Sequence, residues 1–175
     1  RPDEALTLAT PVLDAPYTME FGGREYSPRN YGNQYSGMVS VRDALARSLN
    51  VSTVKVAEWT GLDKVARLSE RMGFPGRLEP YPSLALGSYE VSLLELTQGY
   101  QVLANRGRYL PLHAWTRMTV DGQPLQEERE ERQIISPQTA FLVTSALQTA
   151  LDKGTGMMAR QLGFALPAAG KTGTT

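Results

Sequence analysis

Two short clusters in the 175-residue chain hold the side chains best suited to chemistry, Ser48-Leu49-Asn50 and Lys171-Thr172-Gly173-Thr174. Acyl transfer is the reaction that calls for such groups. It needs a hydroxyl beside a base, donors aimed at the developing oxyanion, and a group that holds a substrate carboxylate. Read singly, each cluster also has a plainer explanation. A Ser-x-Asn triplet arises often by chance and suits a helix end that uses asparagine as its cap, and Lys-Thr-Gly is scarcely rarer. The stretch from Ala165 to Thr172 also has the spacing of a relaxed phosphate-binding loop, with Ala165 where the stricter pattern has glycine. Such a loop must open a helix behind its lysine, so that amide dipoles point at phosphate. Here Gly173 and two threonines follow instead.

Composition removes other chemistries. With no cysteine there is no disulfide framework, thiolate metal site or thiol nucleophile. The single histidine, His113, cannot build an imidazole cluster, and it lacks a carboxylate at triad-like spacing, so it reads as a structural or surface residue. No cofactor and no metal is expected. Eighteen basic residues balance eighteen acidic ones, which gives no sequence-independent pull toward a polyanion, and nucleic-acid binding is set aside. The tyrosines at 17, 26, 31 and 35 have the spacing of a glycan contact. In a Gly/Asn-rich segment they more simply pack a long loop onto the domain.

The elements that must position the two clusters follow from capping and periodicity. At 41% hydrophobic and 21% charged residues, the chain has the composition of one ordinary globular domain or a piece of one. Residues 1–38, rich in Pro, Gly, Tyr and Asn, predict an irregular segment. A helical subdomain is expected over 39–112. Ser40 with Asp43 caps a first helix ending near Ser48, a second runs through Val54 and Ala57 to Gly61, and Leu62, Val65, Leu68 and Met72 mark a third that stops at Gly73. Ser92 and Glu95 form a capping box for a fourth, with Leu93, Leu94, Leu96, Tyr100 and Leu103 as its apolar face. Asp121-Gly122 predicts a hairpin over 113–126. The wholly charged run 127–132 predicts a solvated loop. Ser136 and Pro137 open a helix over 136–153. The uncharged stretch from Gln133 to Leu151, about 19 residues, brushes the length of a membrane span, but Ser, Thr and Gln interrupt it, which points to a buried amphipathic helix. Residues 168–175 predict a strand interrupted midway, and both ends of the chain read as cut from a longer protein.

Taken together, Ser48-Leu49-Asn50 and Lys171-Thr172-Gly173 resemble the second and third motifs of penicillin-binding proteins and serine β-lactamases. The stretches YPSLALGSYEVSLLELTQGYQVLANRGRYL and SPQTAFLVTSALQTALDKGTG resemble the transpeptidase domain of class A, bifunctional penicillin-binding proteins, and the likeness spans about residues 10–175. The resemblance implies an α/β (α+β) fragment of that fold, a helical subdomain plus part of an antiparallel sheet. It implies a D,D-transpeptidase that cross-links peptidoglycan stem peptides through a serine acyl-enzyme, with β-lactams as covalent inhibitors. Ser48 would relay protons, Asn50 would bond the substrate amide, and Lys171 would supply positive potential. Thr172 and Thr174 would hold the carboxylate, the Thr174 N–H would face the oxyanion, and Gly173 would leave room for substrate along a strand edge. The parent would lie outside the cytoplasm, in the periplasm or at the cell exterior, with a membrane anchor and a glycosyltransferase domain upstream. The Ser-x-x-Lys motif that carries the acylated serine is expected outside the chain, upstream of Arg1, and neither Ser69 nor Ser88 begins one. The fragment alone is therefore expected to be inactive. The rival reading is a noncatalytic interaction or substrate-binding domain on the same scaffold.

Overall fold

The N-terminal segment is built on one long-range pairing that its turn-rich sequence conceals. The structure, a computed structural model, describes residues 5–74, 76, 78–113, 115, 118–124 and 130–173. Its first elements are β1 (Pro11–Asp14), β2 (Met19–Phe21), β3 (Arg24–Tyr26) and β4 (Gly37–Ser40). Strand β1 pairs antiparallel with β4, Val12 opposite Val39, and β2 pairs with β3 as a hairpin. The expectation of an irregular segment over 1–38 is thus corrected for its described part. Alternation along β1 turns Val12 and Asp14 inward, both buried. Val12 joins Ala44 and Leu49 in one apolar cluster, so the pairing is fixed by burial rather than by a local turn signal.

Three helices follow at the expected places. Helix α1 (Val41–Ala46) is capped by the Ser40 hydroxyl, which accepts from the Asp43 N–H at 3.1 Å. Helix α2 (Asn50–Thr60) runs through the centre and buries Val51, Ser52, Val54, Lys55 and Ala57. It ends at Gly61, whose φ of 94° lets α3 (Leu62–Arg71) begin at once in a new direction. A second apolar cluster of Met19, Val54, Ala57 and Leu62 lies beneath the β2–β3 hairpin, with Tyr17, Phe21 and Tyr26 packed against it.

The capping box of Ser92 and Glu95 is formed at the start of α4 (Leu93–Ala104), but the helix is turned the other way from its apolar stripe. Leu93 is 81% exposed, and Leu94, Leu96 and Tyr100 are exposed as well. The packed side holds Gln98, Gly99 and Val102. Two contacts set this orientation. Phe74 lies so close to Gly99 that a Cβ there would come within 2.7 Å of its ring. Gln98 accepts from the Leu112 N–H and donates to the Leu110 carbonyl.

Beyond α4, β5 (Arg108–Tyr109) leads to a hairpin of β6 (Thr119–Val120) and β7 (Gln123–Pro124), closed by Asp121 and Gly122 at φ 50° and 76°. Two successive positive φ values give the turn that matches strand twist. The hairpin is shorter than the expected 113–126, part of which lies outside the described residues. The charged run is corrected at its end. Arg132 belongs to β8 (Arg132–Gln133), which pairs with β5, and Arg132 also stacks on the Tyr109 ring. Helix α5 (Pro137–Lys153), with the Ser136 cap, buries Ala140, Ala146, Leu147 and Ala150, yet Phe141 is 71% exposed and Leu142 is exposed. It is buried along one face only. Among the described residues no helix is long and apolar enough to cross a membrane. After α6 (Met157–Gln161), residues 168–173 take no ladder partner among the described residues. A pleated segment becomes a strand only against a neighbour, and none of the described strands runs alongside it.

Candidate active site

Ser48 stands at the bend where α1 ends and α2 begins. Its N–H donates to the Leu45 carbonyl at 3.1 Å, the Leu49 N–H donates to the Ala44 carbonyl at 2.9 Å, and Ser48 itself takes φ 57°. A left-handed serine costs about 1 kcal/mol or more, and the two bonds hold it there. The side chain is exposed, and among the described residues its hydroxyl takes no hydrogen bond. Asn50 does not cap the end of α1, the plainer reading of the triplet; it is the first residue of α2. Its Nδ2 donates to the Arg29 carbonyl at 2.9 Å. An amide has two N–H donors and a carbonyl acceptor, so among the described residues one donor and the carbonyl stay open.

The second cluster reaches the same bend through the turn between α5 and α6. The Thr155 N–H donates to the Ala46 carbonyl at 3.0 Å, and the Thr155 hydroxyl meets the Thr172 hydroxyl at 2.5 Å. Thr172 is thereby tied to the end of α1, two residues before Ser48. The approach is closest at Gly154, where a Cβ would lie 2.1 Å from the Ala46 carbonyl oxygen. Lys171 is half-buried, and its Nζ donates to the Thr172 carbonyl at 2.9 Å. Burial holds its ammonium pKa below the ordinary lysine value, because a desolvated charge is disfavoured. A Cβ on Gly173 would meet nothing within 4 Å. Thr174 lies outside the described residues. No hydrogen bond among the described residues joins Ser48 or Asn50 directly to Lys171; the link runs through Ala46, Thr155 and Thr172. Residues 171–173 are not helical.

One expectation needs correcting from the sequence itself. Ser52-Thr53-Val54-Lys55 does carry the Ser-x-x-Lys spacing, inside the chain and on α2. Its surroundings are those of a core. Ser52 is fully buried and donates to Asp14 Oδ1 at 3.2 Å. The Lys55 Nζ donates to the Leu13 carbonyl at 2.7 Å and sits 4.6 Å from the centre of the Tyr17 ring. A substrate carbonyl has no way to a hydroxyl with no exposed surface, so spacing alone does not make this pair a nucleophile and its base.

Other candidates resolve into structure. His113 packs edge to face against Trp115. The Tyr17 hydroxyl donates to Glu58 at 2.5 Å, and burial, followed by this carboxylate, pushes its pKa up to about 12. Tyr26 packs on the core, whereas Tyr31 is 97% exposed. A groove of about 760 Å³ runs along α3 past Asp63, Arg67, Glu70, Phe74 and Glu79, and it includes none of the candidate site residues. Sequence reasoning missed Thr155, Asp14 and Asn30. Thr155 stands in Gly154-Thr155-Gly156, where only the flanking glycines mark a tight approach, and Asp14 and Asn30 bear no local signal at all.

Comparison with known proteins gives the family. The sequence pattern of the penicillin-binding protein transpeptidase domain matches residues 10–175. Penicillin-binding protein 1B of Haemophilus influenzae is 35% identical over 98% of this chain, and that of Escherichia coli is 36% identical over 96%. The chain spans about a fifth of the length of these relatives: 22% and 21%. The crystal structure of penicillin-binding protein 1A from Haemophilus influenzae superposes with a TM-score of 0.85 at 24% identity, over 99% of this chain and 32% of that one. The D,D-transpeptidase domain from Eggerthella lenta gives 0.73 at 21% identity, over 96% and 48%. At these identities the superpositions show the fold, a partial transpeptidase fold of mixed helices and antiparallel strands.

Proposed function

The chain belongs to the penicillin-binding protein transpeptidase family, and from that premise we propose that it forms part of a D,D-transpeptidase that cross-links peptidoglycan stem peptides. In this reading a serine outside residues 1–175 attacks the carbonyl of a stem peptide. The acyl group passes to that serine, the terminal amino acid leaves with a proton on its amine, and an acceptor amine then takes the acyl group. Ser48 relays the proton to the leaving amine. Asn50, with one donor and its carbonyl open, holds the substrate amide. Lys171 supplies positive potential from a half-buried position, where it counts for more than in water, and Thr172 and Thr174 hold the carboxylate. Gly173 leaves the peptide room to lie alongside. β-Lactams would acylate the same serine. The site would face the periplasm or cell exterior, in a protein that also carries a membrane anchor and a glycosyltransferase domain.

The observation that carries this reading is the tie from Lys171 and Thr172 through Thr155 to the end of α1, beside Ser48. The link leaves Thr172 two hydrogen bonds from Ala46, which lies two residues before Ser48, and so supports one constellation around a single scissile bond. Lys171→Ala in the full-length protein tests it. The rate of labelling by a fluorescent penicillin should fall on the order of 100-fold while the thermal midpoint stays near that of the wild type. An unchanged rate would remove Lys171 from the reaction and favour a noncatalytic role.

A further inference from the structure

The buried polar cluster around Asp14 has no counterpart in the roles just assigned. Asp14 is fully buried, and four donor contacts converge on its carboxylate. The Asn30 Nδ2 lies 2.9 Å from both oxygens, the Ser36 N–H donates at 2.8 Å, and the Ser52 hydroxyl at 3.2 Å. Lys55, held on the neighbouring Leu13 carbonyl, adds an attractive charge. A buried carboxylate this well supplied is a fixed point, since removing any donor leaves charge without compensation.

That fixed point orients Asn30, itself 6% exposed. With Nδ2 held by Asp14 and by the Gln34 carbonyl at 3.0 Å, its Oδ1 faces the start of α2 and accepts the Val51 N–H at 3.1 Å. Helix α2 needs this. The residue at its own N-cap is Leu49, which has no side-chain oxygen to offer the first-turn amides. The cap is supplied instead from 21 residues upstream. The residue before it, Arg29, accepts Asn50 Nδ2 through its carbonyl. Thus Arg29 and Asn30 together hold Asn50 and Val51, and through them the bend that presents Ser48.

We propose that Asp14 and Asn30 are positioning residues for acyl transfer: the Asp14 carboxylate locks the Asn30 amide, which caps α2 from outside and fixes where Ser48 and Asn50 stand. The inference rests on the transpeptidase reading above. Neither residue touches substrate. A group displaced by about 1 Å can cost up to about 100-fold in rate, and loss of this lock frees both ends of the Ser48–Asn50 bend.

The test uses the full-length protein and a fluorescent penicillin at subsaturating concentration, and it separates the rate constant of labelling from the labelled fraction. A residue needed only for folding changes the fraction and leaves the rate constant of the folded molecules alone. Asn30→Ala should lower the rate constant by about 10- to 100-fold. The exchanged pair Asp14→Asn with Asn30→Asp restores an amide-to-carboxylate bond and an acceptor for Val51 but loses the donor to the Gln34 carbonyl, and should recover part of the rate. If Asn30→Ala yields no folded protein, Asn30→Asp alone, which keeps the acceptor for Val51 but sets two carboxylates together, is read the same way. A wild-type rate constant in the folded fraction of the variant read, or an exchanged pair no faster than the single variant, would overturn the proposal. A wild-type protein that takes no label would overturn the transpeptidase reading instead, so the two failures are distinct.

Discussion

Gly154 is the residue at which a single added carbon should do most damage to the site. It ends α5 against the last turn of α1, and a Cβ built there would lie 2.1 Å from the Ala46 carbonyl oxygen, 2.7 Å from its carbon and 2.9 Å from Ala150 Cα. All three are backbone atoms, so no rotamer change relieves the clash. The φ of −112° is open to any residue, and contact alone sets the penalty. Forcing one carbon into packed backbone costs about 1–3 kcal/mol, and the Thr155 to Ala46 hydrogen bond lost as the turn moves away adds about 1 kcal/mol. Gly154→Ala should therefore destabilise by about 2–4 kcal/mol, which lowers the midpoint of the larger domain containing these residues by several degrees. Scanning calorimetry of the full-length protein reads this, with Gly173→Ala as the control, because a Cβ there meets nothing. Penicillin labelling of the same variant should slow, since Thr155 carries Thr172 with it. A midpoint within about 1 °C of the wild type would refute the reasoning.

Arg42 clamps α1 to α5 with one guanidinium nitrogen on the Ser145 carbonyl, the Ser145 hydroxyl and the Thr149 hydroxyl, at 3.0, 3.1 and 2.9 Å. Arg42→Ala should cost about 2 kcal/mol in urea unfolding, whereas Arg42→Lys, whose ammonium also donates to several acceptors but sits on a shorter stem, should recover only part of it. Glu95 has its carboxyl pKa held below the ordinary value by the Ser92 N–H and then by the Ser92 side chain. A lowered folded-state pKa means stability present above the unfolded value and lost as pH falls through the folded one, so acid should loosen the start of α4 in the wild type. Hydrogen exchange in α4 should show that dependence weakened in Glu95→Gln; an identical acid response in both would contradict it.

What the sequence made legible was local. Ser40, Ser136 and the Ser92–Glu95 box each act within a few residues of themselves, so their helices begin where the side-chain oxygens say. Asp121-Gly122 likewise carries its turn in its own φ values. The pairing of β1 with β4 could not be seen, because it is decided by Val12 meeting Ala44 and Leu49 across a long turn-rich stretch. In helix α4 the apolar stripe is not the side packed within these residues: Gly99 and Gln98 fit Phe74 and the Leu110–Leu112 backbone, while Leu93, Leu94, Leu96 and Tyr100 face away. In the candidate site, Ser48, Asn50 and Lys171 were proposed from their motifs and the family resemblance. Their supports were not, since Asp14, Asn30 and Thr155 act across distances that no spacing encodes. Spacing also misleads in the other direction, as the buried Ser52 and Lys55 show.

Residues 1–175 are proposed to serve an acyl-enzyme formed elsewhere in the protein, with Ser48 as a relay and not the nucleophile. Peptide mapping of the full-length protein after reaction with a β-lactam tests it most directly, beside intact-mass measurement of the folded 175-residue chain under the same conditions. One stoichiometric adduct is expected on a serine outside these residues, and an unmodified mass for the chain alone. An adduct on Ser48 or Ser52, or a full-length protein that takes no adduct at all, would contradict it.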